Sequence, residues 1–388
     1  MIKPAIVAVG YNRPDAMKRL LESVCAADYP FDDITLVVSI DECDKSDQVE
    51  AVARDIDWKH GEKVIRRFPE RQGLRKHVLQ CGDLSQKYGA IIVLEDDLMV
   101  SPSFYHYTYQ AVNKYKDYES LAGISLYSHA WNGYANFQFI PERSPYDAYL
   151  GQYSISWGQC WLKDRWMDFR EWYSHHEDKL PYENKYMPEN ISHWNQHSWG
   201  KYYASYVAEK GIYYVVPYFS MTTNFSEVGQ HSSSVSTAHQ VPLLTGIKRT
   251  FELPKPVDAV KYDIFFERIL DGIKVAGIPG ENICVNLNST KKDSLGHSYV
   301  LTTQELPNEK VASFGMMMRP IDSNIVYGVN GNDIYLYKCD PNERFELRYK
   351  SSARIKYEMY DYSWKLTIKA GINGLISAVK SRLKKYVK

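Results

Sequence analysis

Short apolar runs alternate with stretches of helical spacing over the first hundred residues. Pro4 to Gly10, PAIVAVG, is a continuous apolar run ending in glycine. After the loop Tyr11-Asn12-Arg13-Pro14-Asp15, Met17, Leu20, Leu21 and Val24 recur at helix spacing, with Pro14 in the first turn, where its missing N–H has no helical partner to lose. ITLVVSI, Ile34 to Ile40, predicts a second strand running into Asp41; a helix follows over about Ser46 to Asp55, a third strand over Lys63 to Arg67, and a helix over Arg71 to Tyr88. Ala90 to Phe104 reads AIIVLEDDLMVSPSF, in which Ile91 to Leu94 run straight into Glu95, Asp96 and Asp97. An apolar run without polar alternation marks a strand buried on both faces of a parallel sheet. Such an order predicts βαβ units, whose right-handed crossovers bring successive strand ends to one edge. Arg13, Asp41 and the acidic triplet are expected there together.

Further along, the pattern predicts a helix at Ser103–Tyr115, a strand at Leu121–Leu126 and a loop region between Trp131 and Tyr149. Order resumes over Gly151–Leu162, with Ser156-Trp157-Gly158 a tight feature inside it. Helices over Trp166–His176 and Asn195–Gly211, a strand over Ile212–Val216 and a polar loop from Thr222 to Ser232 come next. The proline-rich FELPKPVD, Phe251 to Asp258, is expected to close a first domain of residues 1–250. Residues 251–365 read as a smaller, mostly β domain, with strands at Tyr299–Thr303, Val311–Met318 and Ile325–Tyr337; the last carries an Asn-Gly hairpin signal. Residues 366–388 read as a basic amphipathic helix, with Ile372, Leu375, Ile376, Val379 and Leu383 on one side. That helix suits an anionic membrane surface, packing on the chain's own domain, or a partner.

Composition narrows the classes. Lysine plus arginine and aspartate plus glutamate both number 47, so no global field favours nucleic acid. The cysteines, Cys25, Cys43, Cys81, Cys160, Cys284 and Cys339, show no CxxC or metal-finger spacing, which suits a reducing compartment. Met1 to Gly10 reads as the first strand rather than a leader, and no apolar run is long enough to span a bilayer. A cytoplasmic location, with or without membrane association, is the expectation.

Three adjacent carboxylates at a strand end repel one another and are costly to desolvate without a cation or hydrogen-bond donors. A hard divalent ion, Mg²⁺ or Mn²⁺, takes one or two carboxylates and completes its shell with phosphate oxygens and water; a solvated acidic turn is the alternative. The start of the Arg71 helix, with Arg71, Arg75 and Lys76, suits a diphosphate, or else is a basic face turned to solvent. No GxGxxG and no GxxxxGK[ST] occurs at these turns. Trp157 and the tyrosines at 105, 107 and 109 suit sugar or base stacking, with ordinary packing as the alternative.

On these residues the chain resembles a GT-A glycosyltransferase, and within that fold the N-acetylglucosaminyltransferase I type. The segments that carry the likeness are Asn12-Arg13-Pro14, VVSIDEC and LEDDLMVSPSF, continuing weakly through LAGISLYSHAWNG and YSISWGQCWL. They cover roughly Pro4 to Ser232 and leave the C-terminal part unmatched. The resemblance implies an α/β fold: a Rossmann-like mixed sheet with helices on both faces, followed here by the smaller β domain and terminal helix. It implies that Asp97 binds Mn²⁺ or Mg²⁺ on a nucleotide-sugar diphosphate, that Glu95 and Asp96 hold the ribose or the metal's waters, that Asp41 meets the base, and that Arg13 meets the nucleotide. His231 stands where the pattern has a loop histidine able to reach the metal or the diphosphate. The resembled base is an Asp in a Trp-Asp-Asp-Trp segment; the matching stretch here, His193 to Trp199, has no carboxylate. His197 and Glu227 are the candidates for that role. The implied activity is transfer of a hexose or N-acetylhexosamine from a nucleotide-sugar, expected to be a UDP-sugar, to a glycan or glycolipid hydroxyl in polysaccharide biosynthesis. A catalytically silent nucleotide- or sugar-binding module is the second reading. A nucleotidyltransferase is a third, weakened by a first loop, GYNRPD, that is poor in glycine and in basic residues.

Overall fold

Side chains of a strand alternate between the two faces of its sheet, and here both faces are covered. The structure, a computed structural model, describes all residues except 154–155, 178–185, 196, 226–238, 360–362 and 387–388. β1 (Ala5–Gly10) lies between β4 (Ala90–Glu95) and β2 (Leu36–Ile40), and β3 (Lys63–Arg67) follows β2 at the edge, all four parallel. Ile6, Ala8, Val38, Ile92 and Leu94 share one core with α1 (Pro14–Cys25), α2 (Ser46–Asp55) and the helix Phe104–Tyr115. Val7, Val9, Val37, Ile91 and Val93, the residues between, face the other way. They pack against α3 (Leu74–Gly82) and the helices Lys163–Ser174 and Trp199–Lys210. That two-sided burial is why these strands read as unbroken apolar runs.

Beyond β4 the sheet becomes mixed. Gln159–Leu162 runs antiparallel to β4 and to Leu121–Ser125, and Tyr213–Pro217, Ala148–Gly151 and Lys261–Tyr262 complete nine strands. The sheet therefore continues past the proline-rich segment to Tyr262, and Phe251 and Leu253 belong to the first of its two cores. A separate four-stranded sheet, Ile283–Asn286, Tyr299–Thr302, Ile334–Lys338 and Lys310–Phe314 in spatial order, forms the smaller β-rich part. The mixed α/β fold with a smaller β part is thus the one expected.

Several local expectations are corrected. The helix expected from Arg71 begins at Leu74 and is interrupted at Asp83 and Leu84 before a single turn at Ser85–Tyr88. The helix expected from Asn195 begins at Trp199, because Ser198 is extended. Within the Thr222 loop, Thr222–Asn224 is a short strand paired antiparallel with Leu98–Val100. Ile325–Tyr337 is not one strand: Ser323–Val326 is a helical turn, and Asn330-Gly331 lies in the connection. Glycine is required at 331 by close approach, since a Cβ there would sit 2.3 Å from the Cα of Gly315. The terminal helix runs from Trp364 to Tyr386. Among the described residues, no helix is long and apolar enough to cross a membrane.

Candidate active site

Parallel pairing sets the ends of β1, β2 and β4 side by side, with Gly10 opposite Ile40 and Val9 opposite Glu95. Arg13 leaves β1 and reaches across this edge. Its Nε donates to Asp96 Oδ2 at 3.3 Å, its Nη2 donates to Asp96 Oδ1, and Nη2 lies 3.4 Å from Asp97 Oδ2. Burial works against the guanidinium charge, but Asp96 and Asp97 outweigh it and hold Arg13 above its ordinary range. Much of the compensation that three neighbouring carboxylates need is therefore supplied from within the chain. Glu95 is driven well above the usual carboxylate range by burial and then by the charges of Asp97 and Asp96; Arg13 and the Trp199 indole N–H oppose this. Asp97 Oδ1 is buried and has no hydrogen-bond partner among the described residues.

That orphaned oxygen is the test of whether the residues fit a cation. A buried carboxylate oxygen lacking a donor is costly, and an ion bound there would relieve it. Among the described residues no group of three or more His, Cys, Asp and Glu could hold a metal by itself. The donor set fits an ion that shares its shell with phosphate oxygens, as Mg²⁺ characteristically does, rather than an all-protein cage.

Asp41, at the end of β2, is buried, and its carboxylate is taken by main-chain donors. Oδ1 accepts the N–H groups of Glu42 at 2.9 Å and Gln72 at 2.6 Å, and Oδ2 accepts that of Gly73 at 2.9 Å. Two main-chain amides at the expected start of that helix, those of Gln72 and Gly73, thus serve Asp41. This clamp delays the start of α3, with Gly73 at φ +78°, a conformation that suits glycine. Arg75 donates to the Tyr202 hydroxyl at 2.9 Å and, with Arg71 and Lys76, lines an open groove of about 1520 Å³ between α3 and the helix Lys163–Ser174. His197 is exposed and lines this groove, whereas Glu95 and Asp97 line a different cavity. Glu227 and His231 lie outside the described residues.

The cavity beside the acids has a volume of about 560 Å³ and is walled by aromatic rings, among them Tyr127, Tyr153, Trp157, Trp199 and Phe266. Trp157 is held by the tight turn read from sequence. Gly158 has φ +101°, a Cβ there would lie 2.8 Å from Thr222 Cγ2, and Thr222 Oγ1 donates to the Trp157 carbonyl at 2.6 Å. One face of the Trp157 ring meets His239, with centroids 4.4 Å apart, and Tyr127 approaches it edge-on at 4.8 Å. The strand Thr222–Asn224 ends at the site, where the Phe225 N–H donates to the Asp97 carbonyl at 2.9 Å.

Sequence reasoning missed His129, His239, Tyr127, Trp199 and Phe266. His129 sits in the quoted segment LYSHAWNG, and this was the only signal for it. Burial, then the neighbouring charge of His239, pushes His129 down to about 3, so its ring is neutral at working pH. His239 stands eight residues beyond the histidine singled out; burial holds its ring below the ordinary histidine range, and the charge of Asp97 works against this.

No protein-family model and no curated protein matches the sequence. Solved structures similar to it include S. aureus TarS, at 12% identity over 55% of this chain and 35% of that one, with a TM-score of 0.34. A second is the mannosyltransferase PcManGT from Pyrobaculum calidifontis in complex with GDP-Man and Mn²⁺, at 13% identity over 56% of this chain and 55% of that one, TM-score 0.33. A third is mouse xyloside xylosyltransferase 1, at 11% identity over 55% of this chain and 84% of that one, TM-score 0.35. The matched part spans about a third of the first and about half of the second.

Proposed function

We propose that the chain is a glycosyltransferase that moves a sugar from a nucleotide-sugar, a UDP-sugar in the narrower reading, to a hydroxyl of a glycan or glycolipid acceptor. The observation that carries this is the Arg13-bound triplet Glu95–Asp97 at the carboxyl edge of the sheet, opening on an aromatic-walled cavity with Asp97 Oδ1 buried and without a hydrogen-bond partner among the described residues. Open α/β sheets bind ligands at this edge, aromatic rings cover the apolar faces of sugars, and about 560 Å³ falls within the roughly 300–1,000 Å³ of small-molecule sites.

Each residue then has a role. Asp97 would hold Mn²⁺ or Mg²⁺, which when bound offsets charge on a departing diphosphate. Arg13 fixes Asp96 and Asp97 in place, and Asp41 fixes the turn into α3; Arg71, Arg75 and Lys76, expected from sequence at the diphosphate, line the separate groove rather than the cavity of Asp97. The acceptor hydroxyl must give up its proton as it attacks the anomeric carbon. Of the two sequence candidates for that base, we favour Glu227: it follows Phe225 by two residues, and Phe225 is bonded to Asp97. His197 faces the groove. An inverting outcome and an N-acetylglucosaminyltransferase I-like specificity are the narrower form of the proposal. One observation favours a silent binding module instead: the segment His193 to Trp199 brings Asn195, Ser198 and Trp199 to the cavity but no carboxylate.

Turnover of UDP-sugars and GDP-sugars, measured with and without Mn²⁺, tests the proposal. Asp97→Asn should abolish both turnover and Mn²⁺-dependent donor binding while leaving the circular dichroism spectrum unchanged. Glu227→Gln should lower kcat by about 10²-fold or more, with His197→Gln close to the parent. Donor binding without turnover selects the silent module, and absence of both overturns the proposal.

A further inference from the structure

Among the described side chains, the helix Trp364–Tyr386 covers none of its apolar stripe with its own protein. Trp364, Ile368, Ile372, Leu375, Ile376 and Val379 are each between 48% and 70% exposed. Every side chain from Trp364 to Ser377 is exposed. Packing on the chain's own domain, one of the options open from sequence, is therefore not how this surface is satisfied. At about 100° per residue those six positions fall within an arc of roughly 120°, so they form one stripe along the helix. A continuous exposed apolar surface of this kind marks an interaction site.

Charge decides what covers it. From Trp364 onward the chain carries Lys365, Lys369, Lys380, Arg382, Lys384, Lys385 and Lys388 and not one Asp or Glu, in a sequence that as a whole is balanced at 47 against 47. A second copy of the helix would set two all-positive segments against each other. A nucleic acid would neutralise the charge but offer no apolar phase for the stripe. An anionic bilayer surface satisfies both, and the helix, too polar to cross a membrane, is suited to lie in the interfacial plane.

We propose that the helix Trp364–Tyr386 docks the protein on a bilayer containing anionic lipids, its apolar stripe below the headgroups and its basic residues among them. At about 1.5 Å per residue the contact would run roughly 35 Å along the surface. The inference is independent of the transferase reading; if both hold, a glycolipid acceptor would be presented on the surface that the enzyme occupies.

The test is co-sedimentation of the full chain with vesicles of phosphatidylcholine alone and of phosphatidylcholine mixed with phosphatidylglycerol. Binding is expected only to the mixed vesicles, and it should weaken as salt is raised. Lys369→Gln combined with Lys380→Gln should weaken it by about tenfold or more. Leu375→Glu combined with Ile376→Glu should abolish it without moving the thermal unfolding midpoint, because both side chains are exposed. Equal binding to neutral vesicles, binding to neither, or a dimer in sedimentation velocity that the double Glu variant dissolves would each overturn the proposal. None of these readouts requires turnover, so failure here and failure of the transferase reading are distinguishable.

Discussion

At the residue scale, the acids at the strand ends are occupied very differently. Arg13 and Asp96 form a pair, and losing it would take the Arg13 charge away from a carboxylate that is only 5% exposed. Arg13→Met is expected to lower stability by about 3 kcal/mol, read as a shift in the urea midpoint with an unchanged slope. His77 supplies a pH signature. Its Nε2 lies 2.7 Å from Ser39 Oγ, and the Arg66 guanidinium donates to the same oxygen. Burial holds His77 down to about 4; Asp41 pulls it upward and Arg66 pushes it further down. The unfolded chain, with histidine near 6.5, then binds the proton more readily than the native state does. Stability from this group is complete above about pH 6.5 and is lost as pH falls toward 4, by up to about 3 kcal/mol. Urea titrations across that range should show the loss, and His77→Gln should flatten it. That Arg13 would meet the triplet was legible in the sequence, because strand order and crossover handedness place both at one edge. That Asp41 would be taken by amides 31 and 32 residues later was not, because this depends on how the chain turns into α3.

At the level of elements, the turn at Ser156-Trp157-Gly158 shows how one glycine sets a wall of the cavity. Its positive φ and its contact with Thr222 both exclude a side chain. Gly158→Ala is expected to cost about 2 kcal/mol or more, from the left-handed backbone together with the forced displacement of Thr222. It should also shift the tryptophan emission spectrum as Trp157 moves from His239. The strands were readable because period and apolar runs are local properties. Two helix starts were misread because their first turns, though helix-compatible in composition, are set by neighbours: Asp41 holds Gln72 and Gly73, and Ser198 is extended.

Over the whole molecule, the cavity is assembled from both sides of the proline-rich segment. Phe266 stacks on Tyr153 with centroids 4.3 Å apart and planes 6° from parallel. Its neighbour Glu267 accepts the Asn288 N–H at 2.7 Å, and Lys291 bonds Asp263 at 2.6 Å. Burial opposes the Lys291 charge, yet Asp263, Cys284 and Glu267 hold it above its ordinary range. The β-rich part thus anchors the turn that carries Phe266. Lys291→Met, which strands Asp263 and Glu267, should cost about 3 kcal/mol in thermal or urea unfolding and weaken ligand binding in the cavity through Phe266.

The sequence alone determined the alternation of strands and helices, the acids at the strand ends and the basic amphipathic helix. Each of these is written in spacings of a few residues or in composition. The tertiary structure decided which atoms those acids bond, which oxygen of Asp97 is left without a partner among the described residues, and which rings enclose the space beside it. Tyr127, Trp199, His239 and Phe266 come from positions spread over more than a hundred residues, and only packing of the finished sheet brings them to one cavity.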